Sequence, residues 1–221
     1  MAGLSVQTAP TVEPLSPREV KDYLRLPSDD DLSTINILQK AAREYAENFL
    51  GRALLTQTLD LYVDVADPDG NPLREGLTTG PYISTLYNYI TLPKPPVQSV
   101  TSVITYNDSD TATTFAASKY YVDTAREPSR ITLRTGETFP TALRVANAIR
   151  VTYVAGYANP ASVPEPIKLG LLQHIAYLYE HRGDMYEAGG FPPAVRSLYS
   201  PYVIHGGLGG QTLLERGRAV L

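Results

Sequence analysis

Two segments with the period of an α-helix enclose a long block with the period of a β-strand, and this order restricts the possible folds. In the first segment apolar residues recur at spacings of three and four between Ile35 and Phe49. This spacing predicts an amphipathic helix over residues 30–50. The same spacing between Ile167 and Tyr179 predicts a second long helix over residues 165–182.

The block between these helices, residues 54–156, alternates apolar and polar positions. Leu59, Leu61 and Val63 stand at every second position, which is typical of a strand with one buried face. Turn-forming clusters at residues 107–110 and 126–129 separate further strands, predicted at residues 89–92, 97–106, 120–123, 130–134 and 148–154. The long stretch 66–88 is predicted to be an inserted loop. The fold class that follows is α+β, with the two long helices packed together and a β-rich insertion between them.

The N-terminal region gives a local helix signal. Ser16 is a favourable N-cap and Pro17 a favourable first residue, so a short helix is predicted over residues 17–24. The preceding residues 1–15 are polar and interrupted by proline, and we expect a flexible arm there. They have no basic segment followed by an apolar run, so no secretion signal is expected.

The C-terminal region, residues 185–221, is predicted to be an extended arm with a glycine-rich end. Within it, residues 192–204 are apolar and contain several prolines, although they follow the last predicted core helix. Proline lowers the entropy that an extended segment loses when it binds a partner. This favours a partner-binding arm.

Charge and composition restrict the function classes. The net charge is −4, and no cluster of Lys or Arg is present, so tight binding of DNA phosphates is not expected. The absence of cysteine excludes disulfides, thiolate metal sites and a cysteine nucleophile. No apolar stretch is long enough to span a membrane. We expect a chain that is soluble and intracellular at synthesis.

Candidate catalytic and metal-binding patterns are weak. Asp67, Asp69 and Asn71 alternate as in a calcium-binding loop, but Pro72 and Thr78 stand where that loop requires glycine and glutamate. The three consecutive aspartates at 29–31 are better explained as charges that complement a helix dipole. His174 and His181 are seven residues apart, too far for a shared zinc, and His205 stands alone. No nucleophile-elbow motif is present. We therefore expect no enzyme activity, no cofactor and no metal.

Tyrosine is unusually frequent, with 16 residues and no tryptophan. Tyr82, Tyr87 and Tyr89 cluster in and beside the predicted loop and are candidates for an inter-subunit contact, because amphipathic aromatic side chains are enriched at protein interfaces. Such side chains also stack on sugars. An alternative function is therefore a tyrosine-rich β module that binds carbohydrate or a cell surface.

Several segments, taken together in their order, resemble the head–tail connector, or adaptor, family of long-tailed phages and related gene-transfer particles. They are AREYAENFLGRAL (42–54) running into LTQT (55–58), LPKPPVQSVTSV (92–103), IRVTYVAGY (149–157), VPEPIK (163–168), YEHRGD (179–184) and PPAVRSLYSPY (192–202). The resemblance covers roughly residues 16–204. It identifies residues 16–184 as a connector domain and residues 185–221 as its C-terminal arm.

The resemblance implies a structural virion protein without catalysis, located at the head–tail interface and assembled in the host bacterial cytoplasm. It implies a ring, usually of twelve subunits, that is docked on the portal and contacts the next neck, stopper or tail-completion protein. Double-stranded DNA would pass through the lumen without specific binding, and no membrane is involved. The portal-docking arm would use Pro192, Pro193, Val195, Leu198, Tyr199, Pro201, Tyr202, Val203 and Ile204.

Overall fold

The computed structural model describes residues 3–64, 89–181 and 192–204. The chain divides into two compact units. The β unit contains residues within 3–9 and 56–156, and the helical unit contains residues within 10–55 and 157–204. The helical unit is thus assembled from two separate stretches of the chain. The predicted loop 66–88 lies outside the described residues.

The β unit contains eight strands among the described residues. They are β1 (Leu4–Thr8), β2 (Gln57–Val63), β3 (Tyr89–Thr91), β4 (Val97–Tyr106), β5 (Ala112–Thr114), β6 (Tyr120–Asp123), β7 (Arg130–Leu133) and β8 (Ile149–Ala155). Five of them form an antiparallel sheet in the order β1-β2-β8-β4-β5, and three form a smaller antiparallel sheet in the order β3-β7-β6.

The pairing of β2 with β8 fixes the register of the larger sheet. Leu59 pairs with Tyr153, and Leu61 pairs with Val151. All four side chains are fully buried. A shift of one residue would move both apolar sets to the opposite face, so burial specifies this register. Tyr153 donates a hydrogen bond of 2.7 Å to the carbonyl of Pro93, and its burial raises the pKa of its phenol.

The helical unit contains α1 (Pro17–Leu24), α2 (Leu32–Leu50), α3 (Glu165–Glu180) and α4 (Pro193–Tyr199). A capping box begins α1, in which the Ser16 hydroxyl accepts from the Glu19 amide and the Glu19 carboxylate accepts from the Ser16 amide. Helix α2 ends at Gly51, whose φ of 66° is a left-handed conformation that glycine adopts without steric cost. The core between α2, α3 and α4 includes Ile35, Ala42, Ala46, Leu50, Ile167, Leu171, Ile175, Val195 and Tyr199.

The predicted flexible arm at residues 1–15 is wrong for the part that the structure describes. Residues 4–8 form β1, which pairs with β2 at the edge of the sheet. Leu15 is buried in the helical core, and its carbonyl accepts a hydrogen bond of 2.9 Å from the Gln39 side chain. The backbone hydrogen bonds of β2 and the apolar surface of the helices order this segment, and its own composition does not reveal them.

The predicted extended arm is wrong for residues 192–204. Residues 193–199 form α4, residues 200–202 form a 3₁₀ turn, and the Ile204 amide donates a hydrogen bond of 2.9 Å to the carbonyl of Leu50. Proline at the first helical position suits a helix start as well as an extended segment. Val195 and Tyr199, four positions apart, supply the buried face.

Candidate interaction site on the helical unit

The C-terminal helix α4 is held against α3 by a close contact between Tyr199 and Gly170. The Tyr199 ring lies directly over Gly170, where an added Cβ would overlap Cε1 and lie 2.9 Å from Cζ. Glycine is therefore required at position 170 for this approach. The Phe49 ring of α2 packs on Tyr199 with a centroid distance of 6.1 Å. The buried Tyr199 phenol has a raised pKa because burial disfavours its charged form.

Two polar contacts attach the end of this segment to the region after α2. Arg52 donates a hydrogen bond of 2.6 Å from Nε to the carbonyl of Tyr202, and the Ile204 amide donates to the carbonyl of Leu50. The Glu47 carboxylate accepts from the Leu54 amide at 2.9 Å. These bonds satisfy backbone groups near the buried end of α2, where an unpaired group would cost stability.

The nine residues predicted to form a portal-docking arm divide into three groups. Val195, Tyr199 and Ile204 are buried, so they stabilise the fold itself. Leu198, Tyr202, Val203 and Pro192 are half-buried, and the first three of them pack against the core. Pro193 and Pro201 are exposed.

Five exposed residues of this segment share one side of the helix. They are Pro193, Arg196, Ser197, Ser200 and Pro201. Counted from Pro193, the other four residues lie three, four, seven and eight positions further along the chain. This spacing places them on the face opposite Val195 and Tyr199. We call these five residues the α4 outer face. Together with Ala194, which is also exposed, it is the fully exposed part of the predicted docking segment.

The predicted tyrosine contact is described only in part. Tyr89 lies on β3, half-buried, with the Arg130 guanidinium 5.7 Å from the centroid of its ring. Tyr82 and Tyr87 lie outside the described residues. On β6, which pairs with the other side of β7, Tyr121 is exposed, and the Arg134 guanidinium covers its ring at 3.9 Å.

The charged groups that the sequence singled out have local roles. The Asp31 carboxylate accepts a hydrogen bond of 2.6 Å from the Tyr179 hydroxyl, and Asp29 is paired with Lys21. The Ser28 hydroxyl donates to the Asp30 carboxylate at 2.8 Å. Within the described ranges no group of three or more acidic, histidine or cysteine side chains is placed to hold a metal ion. Nor is any described helix long and apolar enough to cross a membrane.

His174 is buried on α3, where its ring meets Tyr45 edge-on with a centroid distance of 5.5 Å. Burial lowers the pKa of His174 from 6.5 to about 4, because the protonated imidazole would lose its hydration. The side chain is therefore neutral near pH 7. His181 lies at the end of the same helix, with Nδ1 2.8 Å from the carbonyl of Tyr177.

An apolar groove on the helical unit was not predicted. It has a volume of about 640 Å³ and is lined by residues of α1, α3 and α4 that include Tyr23, Leu169, Leu172 and Leu198. The sequence feature that could have predicted the groove is the width of the apolar stripe on α3. Leu169 and Leu172 extend it beyond the face formed by Ile167, Leu171 and Ile175, and Leu169 is 41% exposed.

The sequence matches no protein-family profile and no curated protein. Its fold nevertheless matches solved structures. A chain from the "neck of empty GTA particle computed with C6 symmetry" has a TM-score of 0.69 and 24% identity, over 95% of this chain and 99% of that chain. A chain from the "virion of native gene transfer agent (GTA) particle" has a TM-score of 0.68 and 22% identity, over 95% and 99%.

A further chain, from the "neck of native GTA particle computed with C12 symmetry", has a TM-score of 0.64 and 21% identity, over 94% of this chain and 100% of that chain. The likeness therefore extends over both units and is not limited to a single motif. The chain shares its fold, over nearly its whole length, with chains from the neck and virion of gene transfer agent particles.

Proposed function

We propose that the chain is a structural subunit of a virion neck, in an adaptor ring that joins the capsid portal to the tail. The observation that carries the proposal is the nearly full-length likeness to chains from particle necks. It is supported by the separate resemblance of the ordered sequence segments to the connector family. In this proposal the protein has a structural role in the virion and no catalytic activity. It is synthesised and assembled in the host bacterial cytoplasm.

The proposed ring contains twelve copies and surrounds the DNA channel. The similar chains come from necks computed with C6 and C12 symmetry, and both are compatible with twelve copies. Closed rings use one heterologous contact repeated around the axis. A net charge of −4 suits a channel wall, because weak attraction to phosphates allows DNA to slide through. The second neighbour would be a neck, stopper or tail-completion protein.

The α4 outer face is the proposed portal contact. It is exposed, and the buried side of the same segment fixes its position through Val195 and Tyr199. A rigid surface loses less entropy on binding than a free arm. This changes the role of the predicted docking residues. The buried ones position the surface, and Pro193 and Pro201 lie on it, beside Pro192, Tyr202 and Val203.

The test compares portal binding of point variants. Ser197→Glu combined with Pro201→Glu adds two charges to the α4 outer face without touching a buried side chain. We expect loss of co-sedimentation with purified portal rings and an unchanged circular dichroism spectrum. Lys40→Glu, at an exposed position of α2, is the matched control and should bind normally. Normal binding by the double variant would refute the assigned contact.

The ring itself needs an independent measurement. Electron microscopy of the chain bound to portal rings should show a twelvefold adaptor layer. A monomeric appendage, or a layer of another symmetry, would refute the proposed assembly. Deletion of residues 192–204 is a poor test, because it would also remove Val195 and Tyr199 from the core.

The alternative of a carbohydrate-binding β module is less well supported. The exposed ring of Tyr121 has the Arg134 guanidinium over it at 3.9 Å, so that face of the ring is not open for stacking on a sugar. Arg130 approaches the ring of Tyr89 in a similar way, at 5.7 Å. Binding to a glycan array would favour the alternative.

A further inference from the structure

The apolar groove on the helical unit is large enough to accept a short amphipathic segment. Its floor and walls include Leu15, Leu169, Leu172 and Leu198. Tyr23 and Leu169 remain 42% and 41% exposed beside it. Apolar surface of this kind, rimmed by polar residues, is the usual receptor for the apolar face of a helix.

The rim of the groove is acidic. Among the residues that the structure describes, Glu19, Asp22 and Glu165 line it together with a single cation, Lys168, whose ammonium lies 2.9 Å from the Glu165 carboxylate. Arg18, adjacent to the groove, pairs with Asp22 at 3.7 Å. Even with Arg18 counted, three carboxylates face two cations. The groove therefore favours an apolar segment that carries positive charge.

The chain itself contains a segment with these properties beyond the last described residue. Leu213 and Val220 are seven positions apart, and so are Leu214 and Leu221. This spacing is typical of one face of an amphipathic helix. Arg216 and Arg218 outnumber Glu215 among the charged residues between them. The pattern matches the groove in both its apolar and its charged parts.

We propose that the groove formed by α1, α3 and α4 is the docking site for residues 211–221 of this chain. Residues 205–210 link the segment to Ile204, and six residues can span up to about 21 Å. This link contains Gly206, Gly207, Gly209 and Gly210, which allow it to follow many paths. The docked leucines would cover Leu169 and Tyr23, and the arginines would face Asp22 and Glu165.

Because the chain contains no cysteine, two introduced cysteines are the only thiols in a disulfide cross-linking experiment. Leu169→Cys combined with Leu214→Cys places one thiol in the groove and one in the C-terminal segment. The control, Ile37→Cys combined with Leu214→Cys, places the first thiol on the exposed side of α2, where Ile37 is 69% exposed. Docking raises the local thiol concentration, so we expect the groove pair to cross-link at least about ten times faster than the control.

Equal rates for the two pairs would overturn the proposal. Adding Arg216→Glu and Arg218→Glu to the groove pair should slow cross-linking several-fold, and an unchanged rate would refute the assigned charge contacts. If Leu169→Cys impairs folding, Tyr23→Cys offers a second exposed position in the groove. The measurement uses the full chain without portal, so its outcome is independent of the proposed neck function.

Discussion

In the β unit, β2 and β8 pair residue by residue over seven positions, from Gln57 with Ala155 to Val63 with Ile149. In the helical unit, the last helix is instead held by two fully buried side chains, Val195 and Tyr199, and the larger, Tyr199, lies over one glycine of α3. The first arrangement distributes stability over many backbone hydrogen bonds. The second concentrates it in a few side chains, so single substitutions should affect the helical unit more strongly.

The largest effect is expected from Tyr199→Ala. Removing a fully buried aromatic ring leaves a cavity between α2, α3 and α4 and should lower the free energy of unfolding by about 3–5 kcal/mol. Urea denaturation measures this loss, and proteolysis should become faster near residue 192. The exposed neighbour Ser200→Ala is the control, with almost no change. A small loss for Tyr199→Ala would contradict the concentrated stability of the helical unit.

The substitution Gly170→Ala, at the glycine that contacts Tyr199, should change the free energy of unfolding in opposite directions in two different backgrounds. In the native background Gly170→Ala should destabilise by about 1–3 kcal/mol, because the new Cβ overlaps the Tyr199 ring. In a Tyr199→Ala background the overlap is gone, and alanine in a helix is favoured over glycine by up to about 1 kcal/mol. A double-mutant cycle by urea denaturation measures the coupling, and additive effects would refute the contact.

Acid should weaken the helical unit through His174. Its folded pKa is about 4, below the unfolded value of 6.5, so the unfolded chain binds the extra proton first as pH falls. Stability is therefore complete above about pH 6.5 and decreases between pH 6.5 and 4, by about 2 kcal/mol at pH 5. The measurement is urea unfolding at pH 8 and pH 5. His174→Gln should be less sensitive to acid than the native chain, and equal sensitivity would exclude this cause.

The smallest effect is expected in the β unit. The Thr152 hydroxyl donates a hydrogen bond of 2.6 Å to the buried Asp60 carboxylate across the β2–β8 pair. Thr152→Val removes it and should lower the free energy of unfolding by about 1.5 kcal/mol, the lower end for a hydrogen bond to a charged acceptor, because the backbone ladder on either side persists. Thermal unfolding measures the loss, with Thr152→Ser as a control that keeps the hydroxyl. A loss as large as that of Tyr199→Ala would contradict the comparison.

Local signals predicted the elements that depend on local interactions. Ser16, Pro17 and Glu19 determine the start of α1, and the structure gives the predicted bounds, residues 17–24. Strands β4 and β6 also have their predicted bounds, because alternation and turn residues define them. The long helices begin or end within two residues of the prediction.

The errors fall where a distant surface decides the conformation. Strand β1 has no turn signal beside it and is ordered by pairing with β2. Leu54 and Leu55, assigned to the β-rich insertion, belong to the helical core. Helix α4 has only seven residues, too few to be stable alone, and forms because α3 presents Gly170 to it. The predicted docking segment therefore forms a packed helix and a 3₁₀ turn instead of an extended arm, and its role as an interaction surface stays a prediction.

The division of the helical unit into two stretches has a consequence for synthesis of the protein. Helix α2 leaves the ribosome before any strand of the inserted unit except β1, and its partners α3 and α4 follow only after residue 164. At a translation rate of about 5–20 residues per second, the apolar face of α2 stays uncovered for many seconds before Tyr199 is synthesised. A chain that is cut short before residue 199 keeps this face uncovered, so chaperones and proteases can recognise it.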